Sequence, residues 1–198
     1  MTTGPVIGID PSLRATGIAI LRHPTTADTP NRPQLHTIGE DGRRAATYAD
    51  RGLRLRRQVF KVLKTIPDTT ALAVIEGPAY AATHGGIHER AGLWWALYVG
   101  LTARKIPVAV CPPQTRAKFA TGKGNASKTE VLDAMRHHWT TATIRNDNEA
   151  DALALATAGG MRLLWWPTEA DHHETALAAI EWPEAVKTDL AQRIKAGW

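Results

Sequence analysis

The sequence has little of several features that define other classes of protein. One cysteine, Cys111, stands among 198 residues, so an internal disulfide and a four-cysteine zinc site are excluded. No apolar run approaches the roughly 20 residues of a membrane span, and the start lacks a charged segment followed by an apolar signal core. We therefore expect an unsecreted, cytoplasmic protein with no membrane partner.

Nucleophilic side chains are scarce as well. Ser12 and Ser127 are the two serines, and neither lies in a Gly-x-Ser-x-Gly motif. Cys111 lies next to two prolines on an apolar segment, which does not suit a reactive thiolate. Catalysis through a covalent side-chain intermediate is therefore poorly supported.

Acidic residues are absent from a long central stretch. Between Glu89 and Glu130 there are none, while the basic residues of this stretch are Arg90, Arg104, Lys105, Arg116, Lys118, Lys123 and Lys128. A solvated helix surface usually alternates charges of both signs, so a stretch of one sign favours phosphate binding. With a net charge of +5, the sequence points to a polyanionic partner.

Two apolar strands are predicted to end in an acidic residue. The first ends at Asp10 and continues through a Pro-Ser turn into a returning strand, Thr16 to Leu21. The second runs from Ala71 to Glu76. A carboxylate in apolar surroundings is costly unless a cation meets it, and parallel neighbours bring their carboxyl ends to one edge of a sheet. We therefore expect Asp10 and Glu76 to lie close together.

Two further acids begin the last apolar helix. Asp147 and Asp151 are four residues apart and share one helical face, where like charges repel by a few tenths of a kcal/mol. Packing does not explain this pair, whereas a bound cation does. In the alternative interpretation, Asp147 only stabilises the N-terminus of the helix.

Other elements follow from hydrophobic spacing. Apolar residues three, four and seven positions apart predict a helix from Arg43 to Ile66, and a strand is expected from Gln34 to Glu40. The segment from His88 to Lys105 is a helix that is apolar nearly all round, and Ile106 to Cys111 is a short strand. Ser127 is placed to cap a helix that extends to His138.

A glycine-containing basic loop, residues 121–128, resembles a phosphate cradle. It lacks the Walker A spacing because Gly124, rather than Ser or Thr, follows Lys123. Nucleotide triphosphatase chemistry is therefore poorly supported, while Lys123 and Lys128 remain candidates for contacts with a DNA phosphate.

Taken together, these motifs resemble the RuvC family of Holliday junction resolvases. The matching segments are Ile7 to Ser12 with Thr16-Gly17, Val74 to Glu76, Phe119 to Lys128, and Ala150 to Ala154. The resemblance implies an α/β, RNase H-like (RuvC-type) fold, a five-stranded mixed sheet flanked by helices. It places the nuclease domain in residues 1–166. The C-terminal tail, residues 167–198, has no counterpart in the resemblance, and no role is assigned to it.

The resemblance also implies a set of metal ligands. They are Asp10, Glu76 and Asp151, expected to bind two Mg²⁺ ions for which Mn²⁺ substitutes. The family has Asp or His three residues before the last aspartate, where this chain has Asn148. Asp147 is the better charged candidate because its four-residue offset reaches the same helical face, while Asn148 offers only an amide oxygen.

The implied activity is the paired cutting of four-way DNA by a homodimer. Candidate DNA contacts are Tyr80, Arg116, Lys118, Lys123 and Lys128, and Tyr80 adjoins the position where the family has an aromatic residue. Three alternatives are a nuclease of broader range on forked or flapped DNA, an actin-like ATPase, and a DNA-binding module without catalysis.

The helix from His88 to Lys105 is the candidate dimer interface. Gly92, Ala96 and Gly100 recur every four residues, so two such helices would approach closely, and Trp94, Trp95 and Tyr98 add aromatic area. In the alternative interpretation these aromatic residues pack on the sheet of the same chain.

Overall fold

The protein was analysed as a computed structural model that describes residues 4–24, 32–78 and 86–195. Within these ranges the elements are β1 (Val6–Asp10), β2 (Thr16–Leu21), β3 (Gln34–Ile38), α1 (Tyr48–Thr65), β4 (Leu72–Glu76), α2 (Ile87–Ala103), β5 (Val108–Cys111), α3 (Pro113–Thr121), α4 (Lys128–His138), α5 (Asp147–Arg162), α6 (Asp171–Ala178) and α7 (Glu184–Lys195). None of these helices is long and apolar enough to cross a membrane.

The five strands form one mixed sheet in the order β3-β2-β1-β4-β5. Strand β1 pairs antiparallel with β2 and parallel with β4, and β4 pairs parallel with β5. This arrangement confirms the predicted sheet. Because Ile9 lies opposite Ile75, the residues that follow them, Asp10 and Glu76, emerge at the same edge.

Alternate residues of β1 face two separate layers of helices. Ile7 and Ile9 point toward α1 and α2, whereas Val6 points toward α5. Two glycines let α5 lie directly on the β1–β2 hairpin. A Cβ atom at Gly8 would be 1.8 Å from the carbonyl oxygen of Ala152, and one at Gly17 would be 2.0 Å from that of Asn148. This close approach brings the N-terminal half of α5 to the edge where β1 ends.

Helix α1 begins at Tyr48, five residues later than predicted from its apolar spacing. Thr47 caps it by accepting a hydrogen bond from the backbone N–H of Asp50, and the Asp50 carboxylate accepts one from Thr47 N–H in return. The cap therefore outweighs the helix-forming tendency of Arg43 and the residues after it. The predicted capping of α4 by Ser127, with Glu130 as its reciprocal partner, is confirmed.

The C-terminal segment packs against the edge of the sheet at β5. Glu181 and Val110 exchange two backbone hydrogen bonds of 3.0 Å. Trp182 is buried, and its indole N–H donates to the carbonyl of Leu177 at 2.7 Å. The part of this segment that includes α6 and the start of α7 thus joins the hydrophobic cluster that lies beneath α5.

Candidate active site

Three carboxylates come together at the carboxyl edge of the sheet. Asp10 ends β1 and Glu76 ends β4, while Asp151 lies one turn into α5. The pKa of Asp10 is raised to about 8; burial is the largest cause, and the negative charges of Glu76 and Asp151 contribute to the same shift. Asp10, Glu76 and Asp151 are called the carboxylate cluster below.

The carboxylate cluster carries more negative charge than its surroundings balance. Burial is the largest cause that raises the pKa of Asp151 to about 6, opposed by Arg116 and reinforced by Glu76. An acid with a raised pKa is one whose charged form the fold disfavours. Such an arrangement of acids at the end of neighbouring strands is typical of a functional site that binds a cation.

One guanidinium lies inside this cluster. In Arg116 of α3, Nε is 2.8 Å from Oε2 of Glu76 and Nη1 is 2.6 Å from Oδ1 of Asp151, and the side chain is 12% exposed. The sequence predicted a phosphate contact for Arg116, and that role stays a prediction. Its contacts in the structure are with the carboxylates, where it neutralises one of three negative charges.

A second ion pair borders the cluster. Lys128, at the start of α4, binds the carboxylate of Asp147, and this contact lowers the pKa of Asp147. The side-chain amide of Asn148 donates to Asp147 Oδ1 at 3.4 Å. Asp147 therefore lies at the rim with a cation of its own, and metal binding by Asp147 or Asn148 stays a prediction.

The carboxylates are not arranged as a finished metal cage. In the parts of the chain that the structure describes, no three His, Cys, Asp or Glu side chains surround one point closely enough to hold an ion. Arg116 bridges Glu76 and Asp151, so an ion that uses both carboxylates has to share them with the guanidinium or displace it. Asp151 Oδ1 is buried and has no hydrogen bond of good geometry, so it retains capacity for another positive partner.

The other predicted DNA contacts lie on the α3 and α4 side of the cluster. Lys118 is half-buried on α3, and Lys123 is exposed in the loop that follows, 3.6 Å from Glu130. The Lys123 and Lys128 loop is thus on the face of the sheet that α5 covers, since α3 and α4 both pack on α5. Tyr80 lies outside the described residues.

Two buried polar residues that position the cluster were missed by the sequence analysis. Gln58 of α1 donates to the carbonyl of Ser12 at 2.6 Å and to Thr16 Oγ1 at 2.9 Å, which fixes the turn after Asp10. Glu149 is fully buried and accepts hydrogen bonds from the backbone and guanidinium of Arg145, which fixes the start of α5. Gln58 lies four residues before the buried Val62 and so belongs to the apolar stripe of α1. A polar residue in that stripe was the sequence signal that Gln58 is buried.

The small residues of α2 have a role different from the one predicted. A Cβ atom at Gly100 would be 2.5 Å from Leu63 Cδ1, and one at Gly92 would be 3.3 Å from Leu55 Cδ2. Both glycines therefore face α1 of the same chain, and the prediction that these two glycines let two subunits approach closely is wrong. Ala96 lines a groove beside α1, and its place in an interface stays a prediction.

The aromatic residues of α2 divide between the core and the surface. Trp94 is buried, and its indole N–H donates to the carbonyl of Glu76 at 2.8 Å, which ties α2 to the end of β4. Tyr98 stacks on Trp94 at a centroid distance of 5.2 Å. Trp95 is 59% exposed. The intrachain interpretation thus holds for Trp94 and Tyr98, while Trp95 remains available to a partner.

Similar solved structures share the fold. RuvC of Thermus thermophilus has a TM-score of 0.62 at 17% identity, over 90% of this chain and 99% of that one. The same protein in complex with a Holliday junction substrate has a TM-score of 0.60 at 18% identity, over 91% and 99%. The yeast mitochondrial Holliday junction resolvase Ydc2 has a TM-score of 0.50 at 13% identity, over 89% and 81%. The fold is therefore RNase H-like, as predicted.

The sequence comparison identifies the family. None of the protein-family models matches the chain. The crossover junction endodeoxyribonuclease RuvC of Salinibacter ruber is 30% identical over 169 residues, which cover 79% of this chain and 85% of that protein. The chain therefore belongs to the RuvC family of crossover junction endodeoxyribonucleases.

Proposed function

We propose that this protein is an endodeoxyribonuclease that resolves four-way DNA junctions in DNA recombination and repair. The observation that carries the proposal is the carboxylate cluster of Asp10, Glu76 and Asp151, in a chain of the RuvC family. The Salinibacter relative is named for cutting crossover junctions, and the Thermus protein has been solved with a Holliday junction substrate. Because DNA is its substrate, we propose that it acts in the cytoplasm.

We propose that the carboxylate cluster holds Mg²⁺, two ions per site, with Mn²⁺ as a substitute. Nucleases of this family depend on a metal, and hard divalent cations prefer oxygen ligands. When all three carboxylates are charged, the one guanidinium leaves two negative charges to balance, and Arg116 is the charged partner of Asp151 Oδ1. The donor set therefore suits a divalent cation, with Asp147 as the fourth ligand and Asn148 as its alternative. When bound at these carboxylates, the metal would supply Lewis acidity for the activation of a water molecule and for the charge on the departing 3′ oxygen.

The residues of the chain have separate tasks in this scheme. Gln58 holds the turn after Asp10, and Trp94 holds the end of β4 at Glu76. Arg116 keeps Glu76 and Asp151 together, and Lys128 keeps Asp147 at the rim. These contacts orient the carboxylates before substrate binds, which reduces the reorganisation needed at the moment of reaction.

We propose that the basic residues on the α3 and α4 side bind DNA. Lys118, Lys123 and Lys128 border the cluster and carry the phosphate contacts, and Arg116 reaches the scissile phosphate when its carboxylates take another partner. Tyr80 is proposed to stack on a base near the crossover, where stacking is worth about 1–3 kcal/mol.

We also propose that the protein is a homodimer joined through an apolar face on α1 and α2. Phe60 is 65% exposed, Trp95 59% and Val99 57%. Phe60 also lines a groove of about 780 Å³ whose walls are residues of α1 together with Ala96 of α2. Exposed apolar area of this kind favours an interface. A two-fold dimer presents two identical sites, as two opposed strand cuts require.

Cleavage of a matched DNA panel tests the proposed activity. Wild-type protein with Mg²⁺ should cut four-way junctions in paired strands and leave linear duplex intact. Asp10→Asn, Glu76→Gln and Asp151→Asn should each abolish cutting and leave junction binding within a few-fold, because they remove metal charge but not the basic surface. Forked and flapped DNA cut as fast as junctions would favour the broader nuclease, and cutting by any of these variants would remove that residue from the site.

Light scattering tests the proposed dimer. Trp95→Glu should shift the protein toward monomer, because it puts a charge on the apolar face, and should convert paired cuts into single nicks. Glu181→Gln, on the far edge of the sheet, is the control and should leave the mass unchanged. A wild-type monomer that still makes paired cuts would contradict the proposal.

A further inference from the structure

A large basic cavity opens beside the carboxylate cluster, on the face of the sheet that α1 and α2 cover. Its volume is about 1120 Å³. Its walls come from Ser12 and Leu13 after β1, from residues 40–44 before α1, and from the first turns of α1 and α2. Seven arginines and four acidic residues line it, an excess of three positive charges. The DNA contacts proposed above do not use this cavity.

Most of the acidic residues of the cavity are already engaged. Three of them pair with arginines of the same wall: Arg14 with Asp41 at 2.7 Å, Arg51 with Glu89 at 2.9 Å, and Arg57 with Glu40. The fourth acid, Asp50, caps α1 through Thr47. The wall is therefore held by internal ion pairs, and the excess positive charge belongs to the other arginines.

Arg43 and Arg44 carry part of this excess. Both are exposed, and among the described residues neither has an acidic group within ion-pair distance. A guanidinium matches phosphate by donating two parallel hydrogen bonds, which makes such arginines suited to phosphodiesters. They are therefore available to an anionic ligand that enters the cavity.

The cavity is connected to the catalytic edge through Arg54. Its Nη2 donates to the carbonyl of Leu13 at 2.9 Å, and Leu13 follows Asp10 by three residues. The Lys123 and Lys128 loop lies on the opposite face of the sheet, with α5. Positive charge thus flanks the carboxylate cluster on both faces.

We propose that this arginine cavity binds the DNA backbone on the side of the scissile phosphate opposite to the Lys123 and Lys128 loop. The inference rests on the proposed function and assigns a second phosphate-binding surface to it. A strand cut at the carboxylate cluster continues in both directions, so it calls for a phosphate-binding surface on each side of the scissile phosphate. A single phosphate ion would meet few of the arginines, whereas a chain of phosphodiesters fits both the volume and the spread of charge.

The salt dependence of junction binding tests this assignment. Affinity is measured by fluorescence anisotropy without divalent cation, on wild type and on Arg43→Ala/Arg44→Ala. Two lost phosphate contacts should reduce the slope of log K against log salt by up to about 1.8. The ratio of affinities at about 50 and about 200 mM salt should then shrink by up to about 12-fold. Lys64→Ala, at the distal end of α1, is the control and should leave the slope unchanged.

The possible outcomes separate this inference from the proposed function. If wild type prefers junctions but the double variant keeps the wild-type slope and affinity, the inference is wrong and the function stands. If wild type shows no preference for junctions, the proposed function is wrong. The salt slopes of wild type and the double variant are then compared on linear duplex, where a smaller slope for the variant supports the inference and an equal slope overturns it. If millimolar inorganic phosphate stabilises wild type but not the double variant, and the DNA slope is unchanged, the cavity binds free phosphate and the assignment to DNA is overturned.

A chemical footprint locates the bound strand independently. Burial, reinforced by Glu76, raises the pKa of Cys111 to about 12, so this thiol does not compete for labels near neutral pH. An iron chelate attached to Arg44→Cys should cleave DNA within a few nucleotides of the crossover. The same chelate on Lys64→Cys is the control and should give no local cleavage. Equal patterns from the two positions would overturn the assignment.

Discussion

Replacing Asp151 with asparagine should stabilise the protein in the absence of metal while abolishing its activity. Folding raises the pKa of Asp151 from 3.8 to about 6, chiefly through burial. An acid with a raised pKa contributes stability that is fully present below the unfolded value and is lost as pH rises through the folded value. Above pH 6 the buried charge therefore carries its whole cost, roughly 3 kcal/mol for about two pKa units. Asparagine keeps the shape and removes that cost.

Thermal unfolding in EDTA measures this effect. For a chain of this length, roughly 3 kcal/mol corresponds to a rise of roughly 6–12 °C in melting temperature at pH 7.5. The difference in melting temperature between Asp151→Asn and wild type should shrink as pH falls from 6 to 4, because Asp151 of the wild type then becomes neutral as well. Added Mg²⁺ should raise the melting temperature of wild type but not of the variant.

Asp147→Asn is the matched control on the same helix. Its pKa is lowered by Lys128, so its charge stabilises the fold and asparagine should lower the melting temperature slightly. A lower melting temperature for Asp151→Asn at pH 7.5 would refute the reasoning, because it would mean that the Arg116 contact outweighs the burial of the charge.

Three further predictions address the fourth ligand, the helix contact and the C-terminal segment. Asp147→Asn should weaken an Mn²⁺ titration more than Asn148→Ala does, and the reverse ranking would identify Asn148 as the ligand. Gly17→Ala should lower both metal affinity and melting temperature, because the new Cβ would be 2.0 Å from the carbonyl oxygen of Asn148. Gly52→Ala is the control: its Cβ would have nothing within 4 Å, and it should stabilise α1 by about 0.5–1 kcal/mol. Trp182→Ala should lower the free energy of unfolding by about 3–5 kcal/mol, as measured with denaturant, because Trp182 is buried. A decrease of less than about 1 kcal/mol would mean that the C-terminal segment does not contribute to the stability of the nuclease core.

The fold was predictable because its strands carry unambiguous local signals. Four short apolar segments bounded by turns predicted β1, β2, β4 and β5, and two of them end in an acid that a sheet edge explains. The third strand, β3, has the mixed sequence QLHTI and a weaker signal. The error at the start of α1 has a local cause, since the Thr47 cap is a four-residue pattern, Thr47 to Asp50, within a longer helix-forming segment. Gly92 and Gly100 of α2 were misassigned because close packing of small residues gives the same sequence pattern within a chain and between chains.

The roles of the basic residues were harder to predict because the sequence does not show which way a charged side chain points in the fold. Arg116 belongs to a basic stretch that favours phosphate binding, yet the start of α3 turns its side chain into the carboxylate cluster. The arginines around α1 are spread over several turns in sequence, and only the packing of α1 against the loop after β1 brings them to one cavity. Clustering of this kind depends on tertiary contacts between distant segments.

The carboxylate cluster also explains why its supports are buried and polar. Three acids held together in a partly desolvated edge oppose folding, so the elements that carry them need anchors of their own. Gln58 anchors the turn after Asp10, and Arg145 with Glu149 anchors the start of α5. An apolar residue at position 149 would leave the backbone N–H of Arg145 without its carboxylate acceptor, which costs about 1–3 kcal/mol. One at position 58 would remove the hydrogen bonds that tie α1 to Ser12 and Thr16. The fold therefore uses hydrogen bonds at these two positions to hold charges that hydrophobic packing alone would let separate.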